Sequence, residues 1–313
     1  MVMPNLDPPI RTTDHALAYR QRILDALPAG VAFEPLMTLY LTDSTTPQEI
    51  QRAKDSGLVF GVGEAFLAGA TTNSAYGVSD FVRCRDVLQA MEELSMPLLL
   101  HGEVTDPQVD VFDREAEFIQ RHLISIVERF PRLKVVLEHI TTRQAVEFVA
   151  AAPPNVAATI TVHHLLLNRN AMFTGGLRPH AYCLPVLKRE EHRLALVAAA
   201  TQGNPKFFLG TDSAPHPRTA KEADCGCAGI YSANVALELY SEVFADQGAL
   251  HRLEGFASIH GAAFYGLPRN PGTITLVRRE WRVPETVNFG VGPGVSLRAG
   301  EVVGWQVENA VDQ

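Results

Sequence analysis

Short apolar runs alternate with amphipathic stretches along most of the chain. The runs have strand length and no alternating polar position, which is typical of strands buried on both faces. Amphipathic stretches at helical spacing lie between them, and we interpret Asp14 as the N-cap of the first. The strand candidates are Val2–Met3, Leu36–Leu41, Leu58–Val62, Pro97–Leu100, Val135–Leu137, Val156–Thr161 and Phe207–Leu209.

This alternation predicts a parallel sheet with crossover helices, and a closed eight-stranded α/β barrel fits the length best. Seven strands are counted, and the first begins at the start of the sequence, so we expect the first strand of the barrel to be missing. A doubly wound open sheet is the alternative. No GxGxxG motif follows any strand, which counts against a nucleotide-binding sheet.

From Pro271 onward the chain is rich in β-branched residues, glycine and proline. This texture predicts a short β-rich appendage. We therefore expect an α/β barrel over residues 1–270 and a C-terminal β-rich appendage of the same domain over residues 271–313.

Composition narrows the class of function. The chain has 313 residues, a formal net charge of −8 and 46% hydrophobic residues, so it is globular and not a nonspecific nucleic-acid binder. It contains no apolar run of membrane-spanning length and no signal-peptide pattern. Its four cysteines are too few for a disulfide framework. We expect a cytoplasmic protein that acts on a small molecule, with neither nucleic acid nor membrane as a partner.

Acidic and imidazole side chains stand where several strand candidates end. Glu64, His101, His139 and Asp212 each follow a different apolar run. Strand ends carry the chemistry in barrels of this type, and imidazole with carboxylate is the ligand set of zinc. A metal at this end would polarise a carbonyl and lower the pKa of a bound water. Asp212 is a candidate both for binding metal and for taking the proton from that water.

A histidine pair, His163 and His164, follows the sixth strand candidate. In an extended strand adjacent side chains point to opposite faces, so at most one of the two faces the centre of a barrel. Neither is assigned as a metal ligand on this basis.

Several longer motifs resemble the dihydroorotase family, in its short bacterial form. They include "VMPNLDPP", "AGATTNS", "PLLLHGEVTD", "VLEHITT", "GGLRPHAYCLPVLKRE", "FLGTDSAPH", "CGCAG" and "FYGLP", and they extend from residue 2 to about residue 268. The resemblance implies an amidohydrolase barrel with a two-metal centre, usually zinc, and a homodimer. It also implies reversible hydrolysis of (S)-dihydroorotate to N-carbamoyl-L-aspartate, the third step of de novo pyrimidine synthesis.

The resemblance also implies a role for individual residues. His101 and His139 would hold one metal, and Asp212 would bind the other and act as general acid and base. The residues implied to meet substrate are Asn5, His101, Leu184, His216 and Ala228, with Thr71 and Thr72 on a mobile loop that closes over it.

The chain departs from the family pattern in two places. The family's first strand ends in His-x-His-x-Arg, which supplies two metal ligands and a carboxylate-binding arginine, and this sequence has no such motif. The family also has a carbamylated lysine that bridges the metals, and Glu64 stands at that position, seven residues before Thr71. A glutamate has the same charge and the same two oxygens on a shorter side chain.

These departures leave two alternatives to an active dihydroorotase. One is a catalytically impaired scaffold or binding subunit, for instance one that assembles with a carbamoyltransferase. The other is a different amidohydrolase with a single metal on His101, His139 and Glu64.

Overall fold

A computed structural model describes residues 1–308. Its strands are β1 Met37–Leu39, β2 Val59–Ala65, β3 Leu98–Leu100, β4 Val135–Leu137, β5 Val156–Ile160, β6 Phe207–Leu209, β7 Thr275–Arg282, β8 Val287–Asn288, β9 Pro293–Gly294 and β10 Val302–Glu308. Its α-helices are α1 Thr13–Asp25, α2 Pro47–Asp55, α3 Arg85–Glu93, α4 Arg114–Phe118, α5 Ile124–Arg129, α6 Arg143–Ala151, α7 Val162–Leu166, α8 Glu190–Thr201, α9 Arg218–Lys221, α10 Ala236–Asp246 and α11 His260–Tyr265. None of the helices within residues 1–308 is long and apolar enough to cross a bilayer.

The first six strands form a parallel sheet, in which they follow one another in chain order. Their residues are buried almost throughout, which is why they are apolar without alternation. Six of the seven strand predictions are thereby confirmed. The remaining prediction, Val2–Met3, corresponds to a single parallel bridge between Val2 and Met37. Pro4 follows Met3 and has no amide hydrogen to extend the ladder.

Helix α1 begins one position earlier than its predicted cap. The Thr12 hydroxyl accepts a hydrogen bond from the His15 amide and caps the helix, whereas Asp14 lies in the first turn. The prediction that Asp14 is the N-cap was therefore wrong. Thr12 can act as the N-cap because its extended backbone places the side-chain hydroxyl near the free amides of the first helical turn.

The described chain divides into two compact units. The first consists of residues 1–138 with 152–157, and the second of residues 139–151 with those from 158 onward. In the first unit Tyr40, Phe66 and Ala70 pack in one buried cluster. In the second, the Tyr240 hydroxyl donates to the Ile160 carbonyl at 2.6 Å, and the Tyr240 ring contacts Phe256.

The C-terminal part of the chain is β-rich, as its sequence predicts. Strands β7 and β10 form an antiparallel pair, and β8 and β9 form a second, shorter one. The Trp281 indole N–H donates to the Trp305 carbonyl across the longer pair. The predicted appendage includes residues 309–313, which lie outside the described residues, and its assignment to the same domain as residues 1–270 stays a prediction.

Candidate active site

In the first unit, a buried histidine lies between two buried carboxylates. His101 follows β3 directly, and its Nδ1 is 3.1 Å from Glu64 Oε1. Its Nε2 is 3.1 Å from Glu103 Oε2. Glu64 is 5% exposed, and His101 and Glu103 are fully buried. Glu64 itself lies inside β2 and not beyond its end, because pairing with β3 continues as far as Ala65.

This arrangement fits a cation. Both ring nitrogens donate to carboxylates at the same time only when the imidazole carries a proton and a positive charge. A divalent metal would bring positive charge to the same donors, and imidazole nitrogen with carboxylate oxygen is the ligand set of zinc. Glu64 and His101 are accordingly among the residues whose ligand atoms are grouped closely enough to hold an ion. The donor set therefore fits the metal that the sequence predicts.

Glu103 is a site residue that the sequence analysis missed. It stands two positions after His101, in "HGE". The Glu103 amide donates to the His101 carbonyl in a tight turn, and the spacing of only two residues was the available signal. A carboxylate on the far nitrogen of a metal-binding histidine fixes the ring's tautomer and orientation.

Asn5 joins the acid to the Thr71–Thr72 loop. Its side-chain amide donates to Glu64 Oε2 at 3.2 Å, and its carbonyl accepts from the side-chain amide of Asn73 at 3.0 Å. The Tyr40 hydroxyl donates to the Asn73 carbonyl, also at 3.0 Å. Within the loop, the Thr71 amide donates to the Ser74 hydroxyl. The structure thus brings Asn5, Glu64 and His101 together, whereas closure of the loop over a substrate stays a prediction.

In the second unit, His139 and Asp212 share an uncommon backbone conformation. Their φ angles are +40° and +41°, in the left-handed region that residues other than glycine seldom adopt. The backbone of His139 is held by Thr159, whose hydroxyl accepts a hydrogen bond from the His139 amide at 2.7 Å. Such conformations cost roughly 1–3 kcal/mol each and cluster at functional sites. Two of the predicted metal ligands therefore have a backbone conformation that is enriched at functional sites, which they share with Asn73, Ser95 and Arg298.

The predicted substrate contacts of the second unit lie on neighbouring segments. The Ala214 amide donates to the Ile230 carbonyl, which places the His216 segment beside that of Ala228. The Gly229 amide donates to the Tyr182 carbonyl, two residues before Leu184. Burial lowers the pKa of His216, the charge of Lys221 lowers it further, and a hydrogen bond with the backbone of Ala228 opposes both. His216 is therefore neutral near pH 7.

The histidine pair behaves differently from the extended-strand expectation. β5 ends at Ile160, and His163 and His164 lie in α7, capped by the Thr161 hydroxyl. The inference from alternating strand faces was therefore wrong, and both rings are fully buried. Thr161, two positions before His163, ends the strand because its hydroxyl accepts from the His164 amide in the first helical turn.

Of the two side chains, only that of His164 has hydrogen bonds within residues 1–308. Its Nδ1 lies 2.7 Å from the Thr161 hydroxyl, and its Nε2 lies 3.0 Å from the Pro185 carbonyl. Neither ring nitrogen of His163 has a hydrogen-bond partner there, and burial, helped by the charge of His139, lowers its pKa to about 3. Cys183 completes a group of three possible ligands within 4.8 Å of one another, which sequence spacing could not reveal.

Comparison with known proteins gives consistent matches over nearly the whole chain. A model of the amidohydrolase family matches residues 1–276. The dihydroorotase of Nitrosococcus oceani is 61% identical over 307 residues, 98% of this chain and 89% of its own length. That of Methylobacillus flagellatus is 62% identical over 309 residues, 99% of this chain and 89% of its own.

Solved structures agree. A dihydroorotase from Campylobacter jejuni is 36% identical with a TM-score of 0.89, and the match covers 98% of this chain and 87% of that one. A dihydroorotase from Saccharomyces cerevisiae in complex with 5-fluoroorotic acid is 34% identical with a TM-score of 0.88, covering 98% and 88% of the two chains. These matches confirm the predicted fold class, an α/β barrel with a β-rich C-terminal part.

Proposed function

Because this chain belongs to the amidohydrolase family, and within it to the dihydroorotases, we propose that it hydrolyses (S)-dihydroorotate reversibly to N-carbamoyl-L-aspartate. This is the third step of de novo pyrimidine synthesis. The observation that carries the proposal is the buried Glu64–His101 pair, with Asn5 bound to the same carboxylate. Burying a polar cluster of this kind is costly, so its presence indicates a functional role.

The proposed metal is zinc, held by His101, His139 and Asp212, with Glu64 in place of the bridging carbamylated lysine. The buried side chains of His101 and Glu64, which lie at hydrogen-bond distance from each other, support their part in this set. The positive φ angles of His139 and Asp212 support theirs. Bound zinc would supply a Lewis acid for the amide carbonyl and for the attacking water. Glu103 would keep His101 in one orientation.

The chain's own residues supply proton transfer and binding. Asp212 takes a proton from the water that attacks the ring carbonyl, and it returns a proton to the departing ring nitrogen, so that the C–N bond breaks without an unprotonated amide leaving. Neutral His216 acts as a hydrogen-bond partner and not as a cation. Asn5, Leu184 and Ala228 orient the substrate, and Thr71 and Thr72 cover it. We further propose a homodimer located in the cytoplasm.

The test pairs metal content with turnover. Purified protein is loaded with zinc, the bound metal per chain is measured, and hydrolysis of dihydroorotate is followed. The variants are Glu64→Gln, which keeps the shape and removes the charge, and Glu64→Lys with and without bicarbonate. Exposed Glu93, on α3, provides the matched control as Glu93→Gln.

We expect the parent protein and the Glu93→Gln variant to bind zinc and to hydrolyse dihydroorotate. Glu64→Gln should lose both, and Glu64→Lys should depend on bicarbonate, because only a carbamylated lysine has two oxygens for the metal. A folded parent protein without metal and without turnover would refute the proposal and favour the scaffold alternative.

A further inference from the structure

Lys221, the last residue of α9, has its ammonium group enclosed by backbone. The residue is 4% exposed. Its Nζ lies 2.8 Å from the Tyr182 carbonyl oxygen and 2.7 Å from those of Cys227 and Gly229. Three acceptors match the three hydrogens of an ammonium group, whereas a neutral amine could donate to only two.

The acceptors belong to the two segments that include predicted substrate contacts. Tyr182 stands two residues before Leu184, and Cys227 and Gly229 stand on either side of Ala228. A backbone hydrogen bond from Gly229 to Tyr182 links the same segments. Lys221 is therefore a cross-link between the main chains on which Leu184 and Ala228 lie.

The loop 225–229 is shaped around this lysine. A Cβ on Gly226 would lie 2.7 Å from the Lys221 carbonyl oxygen, so only glycine fits against α9. Gly229 has a φ of +145°, and a Cβ there would lie 3.0 Å from the His216 ring. The Cys227 amide donates to the Ala220 carbonyl on the same helix. The loop thus fits tightly between Lys221 and the His216 segment.

Holding a carbonyl fixes the direction of the amide that follows it. In a trans peptide the C=O and the next N–H point in opposite directions, and the peptide between Cys227 and Ala228 is trans. Because the Cys227 oxygen points at Lys221, the Ala228 N–H points away from it. The next peptide, between Ala228 and Gly229, is held by the hydrogen bond from the Gly229 amide to the Tyr182 carbonyl, so the peptide planes on both sides of Ala228 are constrained.

The charge is expensive where it lies. Within residues 1–308 Lys221 forms no ion pair with a carboxylate, and its hydrogen-bond acceptors are neutral carbonyls. Burial lowers its pKa to about 8. Burying a cation without a counter-anion is costly, so its hydrogen bonds to these three carbonyls indicate a specific role for Lys221.

We propose that Lys221 is a positioning residue that turns the Cys227–Ala228 peptide so that the Ala228 N–H is offered to an oxygen of the substrate. This inference rests on the proposed function, since it takes Ala228 as a substrate contact. It predicts a role in substrate binding more than in the chemical step, because the peptide orients the substrate and moves no proton.

Lys206 provides a matched control. Its Nζ also donates to two backbone carbonyls, those of Val149 and Ala150, and it lies in the same unit. Those carbonyls belong to the C-terminal turn of α6 and not to either substrate segment. A loss of stability alone should therefore be shared by Lys206→Met and Lys221→Met.

The experiment compares Lys221→Met, Lys221→Gln and Lys206→Met in the zinc-loaded, full-length protein. KM and kcat for dihydroorotate are measured, together with amide hydrogen exchange of residues 225–231 in the ligand-free protein. For Lys221→Met we expect KM to rise at least about tenfold, kcat to change less than about threefold, and exchange in this segment to become faster. Lys206→Met should alter neither KM nor this exchange. Lys221→Gln is the variant to measure if Lys221→Met does not fold.

Unchanged exchange in both Lys221 variants would overturn the proposal, whether or not the protein turns over dihydroorotate. Faster exchange with an unchanged KM would also overturn it, because the loop would then be ordered for stability alone. An inactive parent protein would refute the proposed function, and the positioning inference that rests on it, through the KM measurement. The exchange data would still report whether Lys221 orders the loop.

Discussion

His101 Nδ1 faces Glu64 Oε1 at 3.1 Å, and the opposite nitrogen of the same ring faces Glu103 Oε2 at the same distance. The two acids differ in their surroundings, because Glu64 also accepts from Asn5. Glu64 therefore connects the imidazole to a predicted substrate contact, whereas Glu103 stands behind the ring. Replacing each acid should accordingly have a different effect.

Glu103→Gln should weaken metal binding without abolishing it. The amide keeps the shape of the side chain, but it no longer fixes the tautomer of His101 through a charged acceptor. Loss of such a partner typically costs roughly 10–100-fold in metal affinity. Competition with a chelator measures the zinc dissociation constant, with Glu93→Gln as the control. An unchanged constant would show that Glu103 has no part in orienting His101.

Tyr40→Phe should loosen the Thr71–Thr72 loop. Tyr40 is fully buried, and its hydroxyl donates to the Asn73 carbonyl. Losing this bond should lower the free energy of unfolding by about 1 kcal/mol. Hydrogen exchange of residues 71–78 should accelerate by roughly fivefold or more. The control is Tyr76→Phe, whose side chain belongs to a residue that is 58% exposed. Equal exchange in both variants would contradict the prediction.

The two buried histidines of α7 should respond in opposite ways to the same substitution. His164→Leu breaks the ring's hydrogen bonds to Thr161 and Pro185 and its longer one with the Cys183 thiol, and it leaves the Pro185 carbonyl with that weaker thiol donor. The free energy of unfolding should fall by roughly 1–3 kcal/mol. His163→Leu replaces a ring without hydrogen bonds within residues 1–308 by an apolar side chain, which should be neutral or stabilising. Urea unfolding of the chelator-treated protein measures both, and an equal loss would show that His163 has a polar partner.

His163 should also make the protein sensitive to acid. Its pKa is about 3 in the folded protein and roughly 6.5 in the unfolded chain. Between these values the unfolded chain binds a proton that the folded protein does not, so stability is complete above pH 6.5 and falls as the pH is lowered. The slope from this residue is at most about 1.4 kcal/mol per pH unit. His163→Leu should flatten the profile of unfolding free energy between pH 6.5 and 5, and an unchanged slope would contradict the assignment.

The sequence was most informative where burial on two faces leaves a continuous apolar run. β4 and β6 begin and end at their predicted residues, because nothing polar interrupts either run. The helix around His163 and His164 was missed, because its cap, Thr161, is also a good strand residue. Period alone does not separate a strand from a short helix over so few positions.

The hydrogen-bond partners of buried groups could not be predicted from the sequence, for a different reason. The sequence around Lys221 indicates only a charged residue in a polar helix. Its acceptors are backbone carbonyls, which every residue has, so no residue type in the sequence identifies them. Tyr40 and Asn73 are far apart in the chain, and their pairing depends on how a loop folds back. The motif resemblance located Glu64 and His101, but only the structure shows that Glu64 and Glu103 lie at opposite nitrogens of the same imidazole.

Asn5 takes part in two hydrogen bonds at once, one through its side chain and one through its backbone. Its side chain binds the acid, and its carbonyl binds Asn73 in the loop. A change of charge at Glu64 should therefore also change the order of the loop. Thermodynamic reciprocity requires the reverse with the same factor, so a ligand that orders the loop must tighten cation binding at Glu64 equally. Cation and substrate should thus bind cooperatively, and each should appear to bind weakly when measured without the other.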